Sequence, residues 1–147
     1  MRVLLPEGAK VSADPILDIL KNYKTIAVVG LSSNPTRPSH GVAKYLKSAG
    51  YQVIPVNPNE KEVLGGKSYA RLEEVPEKID VVDIFRRAEE VPAVAESAIR
   101  VGAKVVWMQL GIENEAAAEK ARAAGLIVIE DACIYMEHKK RARLLMG

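Results

Sequence analysis

The sequence has 147 residues, of which 48% are hydrophobic and 27% charged, and its formal net charge is +2. This length and apolar content suit one domain with one buried core, which we assign to residues 1–147. So small a net charge argues against nucleic acid as a partner, and the lone Cys133 excludes an internal disulfide.

Helical and strand-like segments alternate along the chain. Apolar residues at helical spacing predict a first helix beginning at Pro15, with Asp14 as its cap. Short runs rich in valine and isoleucine predict five strands, at residues 25–29, 52–56, 80–85, 104–108 and 126–130. Further helical patterns occupy residues 42–49, 91–98, 113–124 and 135–145.

The arrangement of these segments indicates the fold class. Near-continuous apolar strands are typical of a parallel sheet covered on both faces, and alternating helices imply right-handed βαβ crossovers. The sequence therefore predicts an α/β, Rossmann-like fold of three layers, an open, parallel, five-stranded sheet with helices on both faces. Residues 57–79 interrupt the alternation, and we expect a functional or mobile loop there with one short helical turn near residues 69–74.

The first strand-turn-helix holds the most informative stretch. Gly30 permits a tight turn, and Ser32, Ser33 and Asn34 supply polar donors where parallel strands present their ligands. We expect unpaired amide N–H groups in the turn that leaves this strand and at the start of the next helix, where they favour a phosphate. Arg37 adds a charge-assisted contact. The alternative is an ordinary Ser/Asn/Pro turn that caps a helix.

The same region argues against two familiar nucleotide sites. Only Gly30 matches the dinucleotide fingerprint G-x-G-x-x-G, and the second strand ends in Asn57 and Pro58 without the carboxylate that holds an NAD ribose. No phosphate-binding P-loop motif occurs either. These observations favour a phosphorylated nucleotide bound in a different manner.

Two other strand ends carry candidate ligand groups. Arg86 and Arg87 follow the third strand, where they can hold phosphate or stack on a base, and the alternative is a solvated pair. After the fourth strand, Gln109 offers an amide and Gly111 permits close approach, whereas we assign Trp107 to the core.

Cys133, the one cysteine of the sequence, follows the fifth strand and is a candidate nucleophile. His138 is the only base near it in sequence. The alternative, which we favour, is a small buried thiol without a catalytic role.

Six short motifs occur in order between residues 23 and 141. They are Ala27-Val-Val-Gly30-Leu-Ser32 with Asn34-Pro35, Arg37-Pro38-Ser39, Val53-Ile-Pro-Val-Asn57-Pro58, Asp80-Val-Val-Asp83-Ile-Phe85-Arg86, Val105-Val-Trp107-Met-Gln109-Leu-Gly111-Ile112, and Asp131-Ala-Cys133 with Glu137. Together they resemble the small stand-alone CoA-binding proteins. The fold of that family is similar to the N-terminal CoA-binding domain of the succinyl-CoA synthetase α subunit.

The resemblance implies a coenzyme A site across the carboxyl ends of the strands. It implies that the loop after the first strand surrounds the phosphates and that the end of the second strand forms part of the nucleotide site. It also implies that the end of the third strand flanks adenine or its ribose and that the end of the fourth strand lines the pantetheine channel. In that order, the implied residues are Gly30, Leu31, Ser32, Ser33, Asn34 and Arg37; Val56, Asn57 and Pro58; Phe85 and Arg86; and Met108, Gln109 and Gly111.

The chain also departs from the ligase subunit. That subunit has a phosphorylated histidine in a glycine-rich loop, and neither His40 nor His138 lies in such a loop. Residues 32–35 replace the glycines of its phosphate loop. We therefore do not expect ligase activity from this chain.

Three hypotheses follow for the function. The leading one is a protein that binds coenzyme A or acyl-CoA without chemistry of its own, as a carrier, a sensor or an accessory module. The second is an enzyme, either a small NAD(P)-dependent oxidoreductase or a CoA-transfer enzyme that uses Cys133. The third is an interaction protein with a vestigial groove.

The remaining expectations concern setting and assembly. No apolar run reaches the roughly 18 residues of a membrane helix, and the first residues lack the order of a signal peptide, so we expect a cytoplasmic protein without a membrane partner. Two distant histidines and one thiol predict no metal site. Because two-fold pairs are the commonest assemblies, a homodimer is the default expectation.

Overall fold

The computed structural model describes residues 1–146, in which strands and helices alternate. The strands are β1 (Arg2–Leu4), β2 (Thr25–Val29), β3 (Gln52–Val56), β4 (Glu62–Val63), β5 (Gly66–Lys67), β6 (Val81–Ile84), β7 (Val105–Met108) and β8 (Ile127–Glu130). The helices are α1 (Pro15–Asn22), α2 (Pro38–Ser48), α3 (Val91–Arg100), α4 (Glu115–Ala123), α5 (Ile134–Lys140) and α6 (Ala142–Met146).

The main sheet has the order β1-β8-β7-β6-β2-β3, with β2, β3, β6, β7 and β8 parallel. The chain runs outward from β2 to β3 and then returns to the other side of β2 with β6. The strand order therefore reverses between β2 and β6, which is where open α/β sheets bind their ligands.

The predicted Rossmann-like α/β fold is confirmed, but the sheet has six strands instead of five. The additional strand is β1, which pairs antiparallel with β8 from Arg2 opposite Glu130 to Leu4 opposite Val128. The Arg2 Nε donates to the buried Glu130 carboxylate at 2.6 Å. β1 has only three residues, all partly exposed, and so short a segment shows no periodicity from which a strand could be predicted. The strand forms by pairing with β8, in which Glu130 lies 128 residues from Arg2 along the chain.

Two apolar layers enclose the sheet. On one face, residues of α3 and α4, including Ala95 and Ala118, pack against Val82 and Val106. On the other face, α1, α2 and α5 cover Val28 and Trp107. Each strand contributes side chains to both layers, so the predicted three-layer arrangement is confirmed.

Local signals predicted the start of the first helix and the position of the tryptophan. The Asp14 carboxylate accepts from the Leu17 amide at 3.2 Å, and Pro15 occupies the first turn. Trp107 is fully buried and donates its indole N–H to the Ala132 carbonyl at 2.8 Å.

Two other segments differ from the prediction. The expected last helix is divided at Arg141 into α5 and α6. The Arg141 amide donates to the His138 carbonyl at 3.0 Å, and its side chain donates to the Glu137 carbonyl at 2.9 Å, so the regular helical bond from the Arg141 amide to Glu137 is replaced. The loop at residues 57–79 contains the expected helical turn, at Leu72–Glu74, and also the short hairpin β4–β5.

The outer edge of β3 is covered by the segment that follows the hairpin. Tyr69 donates its amide to the Pro55 carbonyl at 3.1 Å and accepts from the Asn57 amide at 2.8 Å. Pro55 has no N–H of its own, so β3 presents fewer donors along this edge.

No helix among residues 1–146 has both the length and the apolar character required to cross a membrane.

The end of β2 lies against the end of β6 at Gly30. Gly30 has φ +89°, and a Cβ at this position would lie 2.3 Å from the Phe85 carbonyl oxygen. The Gly30 amide donates to Val56 at 2.8 Å, and the Phe85 amide donates to Val29 at 2.9 Å. The glycine therefore permits close approach of three strand ends.

We predict that Gly30→Ala destabilises the protein by about 3 kcal/mol or more, because it combines a disfavoured φ with a backbone clash. Gly111→Ala is the matched control, since Gly111 has φ +83° but open space around the added Cβ, and should cost about 1 kcal/mol. Urea unfolding of both variants measures the difference, and equal losses would contradict the role of the close approach.

Candidate functional site

Two adjoining cavities lie at the carboxyl ends of β2, β3 and β6, and Arg86 lines both of them. The first, here called the polar cavity, has a volume of about 600 Å³. Its lining includes Gly30, Ser32, Arg37, Asn57, Glu60, Phe85, Arg86 and Arg87. Three guanidinium groups and one carboxylate therefore line this cavity, which makes it electropositive.

The second, here called the apolar cavity, has a volume of about 530 Å³ and lies toward α3. Its lining includes Val29, Val56, Pro58, Leu72, Ala93 and Val94. Both volumes lie within the range of small-molecule sites, and together the cavities offer an apolar surface beside a cationic one.

The loop from β2 to α2 is held by its own short polar side chains. The Ser32 amide donates to Ser39 Oγ at 3.1 Å, and the Asn34 amide donates to Ser32 Oγ at 3.0 Å. Asn34 Oδ1 accepts from the Thr36 amide at 3.0 Å. These hydroxyl and amide groups stabilise the turn without the glycines of a phosphate loop.

The expectation of free amides in this loop is therefore wrong for residues 32–34. The Ser33 amide and hydroxyl both donate to Glu60 Oε2, at 2.8 and 2.9 Å. The physical reason is that Glu60, which follows β3 by four residues, is folded back over the loop. An anionic side chain of the protein itself occupies these two donors.

Asn57 sets the position of Glu60. Its side-chain amide donates to the Leu31 carbonyl at 3.1 Å, and its Oδ1 accepts from the Asn59 amide at 3.0 Å. The Glu60 amide closes the turn on the Asn57 carbonyl at 3.2 Å. A buried asparagine at the end of β3 thus joins the two loops on either side of the polar cavity.

Comparison with known proteins decides the family. The family described as CoA binding domain matches residues 24–139, which run from the start of β2 into α5. This chain belongs to the CoA binding domain family.

Similar proteins include both stand-alone chains and parts of larger enzymes. The chain is 46% identical to the uncharacterized protein YneT of Bacillus subtilis over 84% of this chain and 91% of that protein. A solved hypothetical protein from Pyrococcus horikoshii covers 100% of both chains with TM-score 0.86 and 41% identity.

A third relative is the ADP-forming acetate–CoA ligase I alpha subunit of Pyrococcus furiosus. It is 35% identical over 61% of this chain, and the match spans 21% of that subunit. The similarity therefore concerns one part of the ligase subunit and not its whole length.

The fold brings most of the predicted site residues to the two cavities. Those lining the polar cavity are Gly30, Ser32, Arg37, Asn57, Phe85 and Arg86, and those lining the apolar cavity are Val56, Pro58 and Arg86. They come from three strand ends that are neighbours in the sheet, as a parallel topology requires.

Other predicted residues lie outside both linings. Leu31 and Met108 are fully buried in the two apolar layers, and Gln109 bonds within the core. Ser33 and Asn34 belong to the loop beside the polar cavity, and the Gly111 amide donates to Asp131 at 2.7 Å. Contact of these six positions with a ligand stays a prediction.

Several lining residues were missed or left unassigned in the sequence. In the polar cavity they are Pro38, Ser39, Asn59, Glu60 and Ile112, and in the apolar cavity they include Leu72, Ala93 and Val94. The pair Arg86-Arg87 did signal the cationic strand end. No spacing rule signals Glu60, because its position depends on the turn that Asn57 stabilises.

A buried carboxyl lies beneath the site. Asp83 in β6 is fully buried, accepts from Gln109 Nε2 through Oδ1, and has no partner at Oδ2 among the described residues. Gln109 Oε1 in turn accepts from the Ile134 amide at 3.4 Å. Burial raises the pKa of Asp83 from 3.8 to about 7, and the hydrogen bond from Gln109 opposes this shift.

Among the described residues, no hydrogen bond joins Cys133 to His138. His138 Nδ1 lies 2.7 Å from the Tyr45 hydroxyl, and burial, followed by the charge of Lys24, lowers the pKa of the imidazole. Cys133 is half-buried and lies outside the linings of both cavities.

We predict that Asp83 makes the protein less stable as pH rises from about 4 to 7. Its folded pKa exceeds the unfolded one, so its stabilising contribution is full below pH 3.8 and is lost through pH 7. The change is on the order of 4 kcal/mol at about 1.4 kcal/mol per pKa unit.

Urea unfolding of wild type and Asp83→Asn at about pH 4 to 8 measures this contribution. The variant should show a flatter pH dependence, because asparagine does not titrate. Asp18→Asn, on the exposed side of α1, is the control and should follow the wild type. A pH dependence unchanged in Asp83→Asn would contradict the assignment.

Proposed function

We propose that this protein binds coenzyme A or an acyl-CoA across the two cavities, and that it acts as a carrier, a sensor or an accessory module. The observation that supports the proposal most strongly is Arg86, which lines both cavities at the point where the strand order reverses. A ligand in which an apolar base is joined to phosphates matches an apolar cavity that adjoins a polar one.

The apolar cavity suits the adenine. Its lining includes the aliphatic side chains of Val29, Val56, Leu72 and Val94, and an apolar lining favours binding of an aromatic base. Arg86 can stack on the base or bond the ribose phosphate, because a guanidinium has both a planar face and a fork of donors.

The polar cavity suits the diphosphate. Arg37, Arg86 and Arg87 supply three guanidinium groups, and Ser32 supplies a hydroxyl at the same surface. Charge-assisted bonds from arginine to phosphate are among the stronger hydrogen bonds of proteins. The residues present therefore fit the group that the family implies.

The proposal assigns no chemical step to this chain. The imidazole of His138 is engaged with Tyr45, and Cys133 lies outside the linings of both cavities. The thiol of a bound coenzyme would supply the reactive group, and the residues described here would hold and orient its nucleotide end.

Equilibrium titration of the purified protein with CoA tests the proposal. We expect a dissociation constant below 1 mM, corresponding to more than about 4 kcal/mol of binding free energy. Dephospho-CoA, AMP and NADH are comparison ligands, and each should bind more weakly than CoA because it lacks some of the phosphates or the pantetheine arm. Equal binding of all four, or no CoA binding, would contradict the proposal.

Native mass spectrometry of the freshly purified protein provides an independent measurement. Added mass equal to CoA or an acyl derivative would identify which form the protein retains. An added mass equal to NAD(H) or NADP(H) would instead favour an oxidoreductase.

We predict that Arg86→Ala weakens CoA binding by about 1.5–3 kcal/mol, or roughly 10- to 100-fold, because one guanidinium lines both cavities. Lys104→Ala is the control, since this exposed cation lies at the amino end of β7, at the opposite edge of the sheet. An unchanged affinity in Arg86→Ala would remove Arg86 from the site.

A further inference from the structure

Glu60 lines the polar cavity and fills hydrogen-bond donors of the adjoining loop that a ligand anion would be expected to take. One of its carboxylate oxygens accepts from both the amide and the hydroxyl of Ser33, at 2.8 and 2.9 Å. The same carboxylate lines the cavity together with Arg37, Arg86 and Arg87. The amide and hydroxyl of Ser33 thus converge on one anionic group of the protein itself, which indicates that this position favours negative charge.

Several contacts order the segment that carries Glu60. The turn on Asn57 fixes its backbone, and Ser68 bonds both the Asn57 carbonyl, at 3.1 Å, and the Lys61 carbonyl, at 2.9 Å. Lys47 of α2 donates to the Leu64 carbonyl in the β4–β5 hairpin at 2.6 Å. The carboxylate is therefore presented by an ordered segment and not by a free surface chain.

We propose that Glu60 is an intramolecular competitor for the donors of Ser33, which a phosphate of the ligand displaces when it binds. The inference rests on the proposed function. A phosphate group carries more charge and more acceptor oxygens than one carboxylate, and the three neighbouring arginines add contacts that Glu60 does not replace.

This competition sets both affinity and selectivity. The apparent affinity is reduced by the fraction of molecules in which Glu60 occupies the donors. A small monoanion gains too little from Ser33 alone to displace the carboxylate. A ligand with several phosphates offsets the free energy of displacing Glu60 through its contacts with Arg37, Arg86 and Arg87. Glu60 therefore favours polyphosphorylated ligands.

The test compares CoA dissociation constants of wild type, Glu60→Gln, Glu60→Asp and Glu62→Gln. Glu60→Gln removes the charge. Glu60→Asp keeps the charge but shortens the side chain by about 1.5 Å, which takes the carboxylate out of hydrogen-bond distance from Ser33. Glu62→Gln is the control, because Glu62 lies in the same segment, is exposed and is outside the cavity lining.

We expect Glu60→Gln and Glu60→Asp each to bind CoA about three- to tenfold more tightly than wild type, the gain being limited by solvent exposure. Glu62→Gln should change the dissociation constant less than about twofold. The aspartate variant separates the two explanations, since simple charge repulsion would leave it equal to wild type.

The titrations distinguish failure of the competition by Glu60 from failure of the proposed function. If wild type binds CoA but Glu60→Asp binds no more tightly than wild type, the competition is refuted and the proposed function stands. If neither wild type nor Glu60→Gln binds CoA, the proposed function fails and this inference fails with it. Binding that is detectable only in the Glu60 variants supports both.

Discussion

The close approach of β2 and β6 at Gly30 is the constraint on which the rest of the site depends. It brings the Phe85 carbonyl to a position where a Cβ of residue 30 would lie at 2.3 Å. With Gly30 bonded to Val56, the ends of three neighbouring strands are held together. The loops that leave these strands then diverge, and the two cavities open between them. The cationic surface and the apolar surface adjoin at these strand ends, where Arg86 lines both cavities.

The first loop shows how a turn can be stable without glycine-rich geometry. Ser32, Asn34 and Ser39 satisfy the backbone through their side chains, which leaves fewer amides available than in a glycine loop. Affinity for an anion must then depend more on guanidinium groups and less on the main chain. The polar cavity accordingly has three arginines in its lining, which can take the place of main-chain amides as donors to an anion.

Much of the fold was accessible from the sequence, because long buried strands and amphipathic helices carry strong periodic signals. The valine-rich runs that form β2, β7 and β8 are covered on both faces, and their apolar continuity reports that burial. By contrast, β1 and the β4–β5 hairpin contain two or three residues each and depend on pairing, which no local pattern encodes.

The site was predictable to the level of strand ends and less so at individual side chains. Parallel topology brings the ends of β2, β3 and β6 together, so Arg37, Asn57 and Arg86 converge as expected. Side-chain direction is a finer property. Leu31 and Met108 lie at strand ends but point into the apolar layers, and Glu60 reaches the cavity through a turn whose geometry comes from buried Asn57.

The two margins of the sheet have a consequence for self-association. One margin is a strand of three residues that begins with Arg2, and the other contains Pro55 and is overlaid by Tyr69. Short, charged or proline-containing margins are poor templates for adding a strand from another molecule. Continuous sheets between copies are thus disfavoured, and any pairing of copies would have to use helices or loops instead.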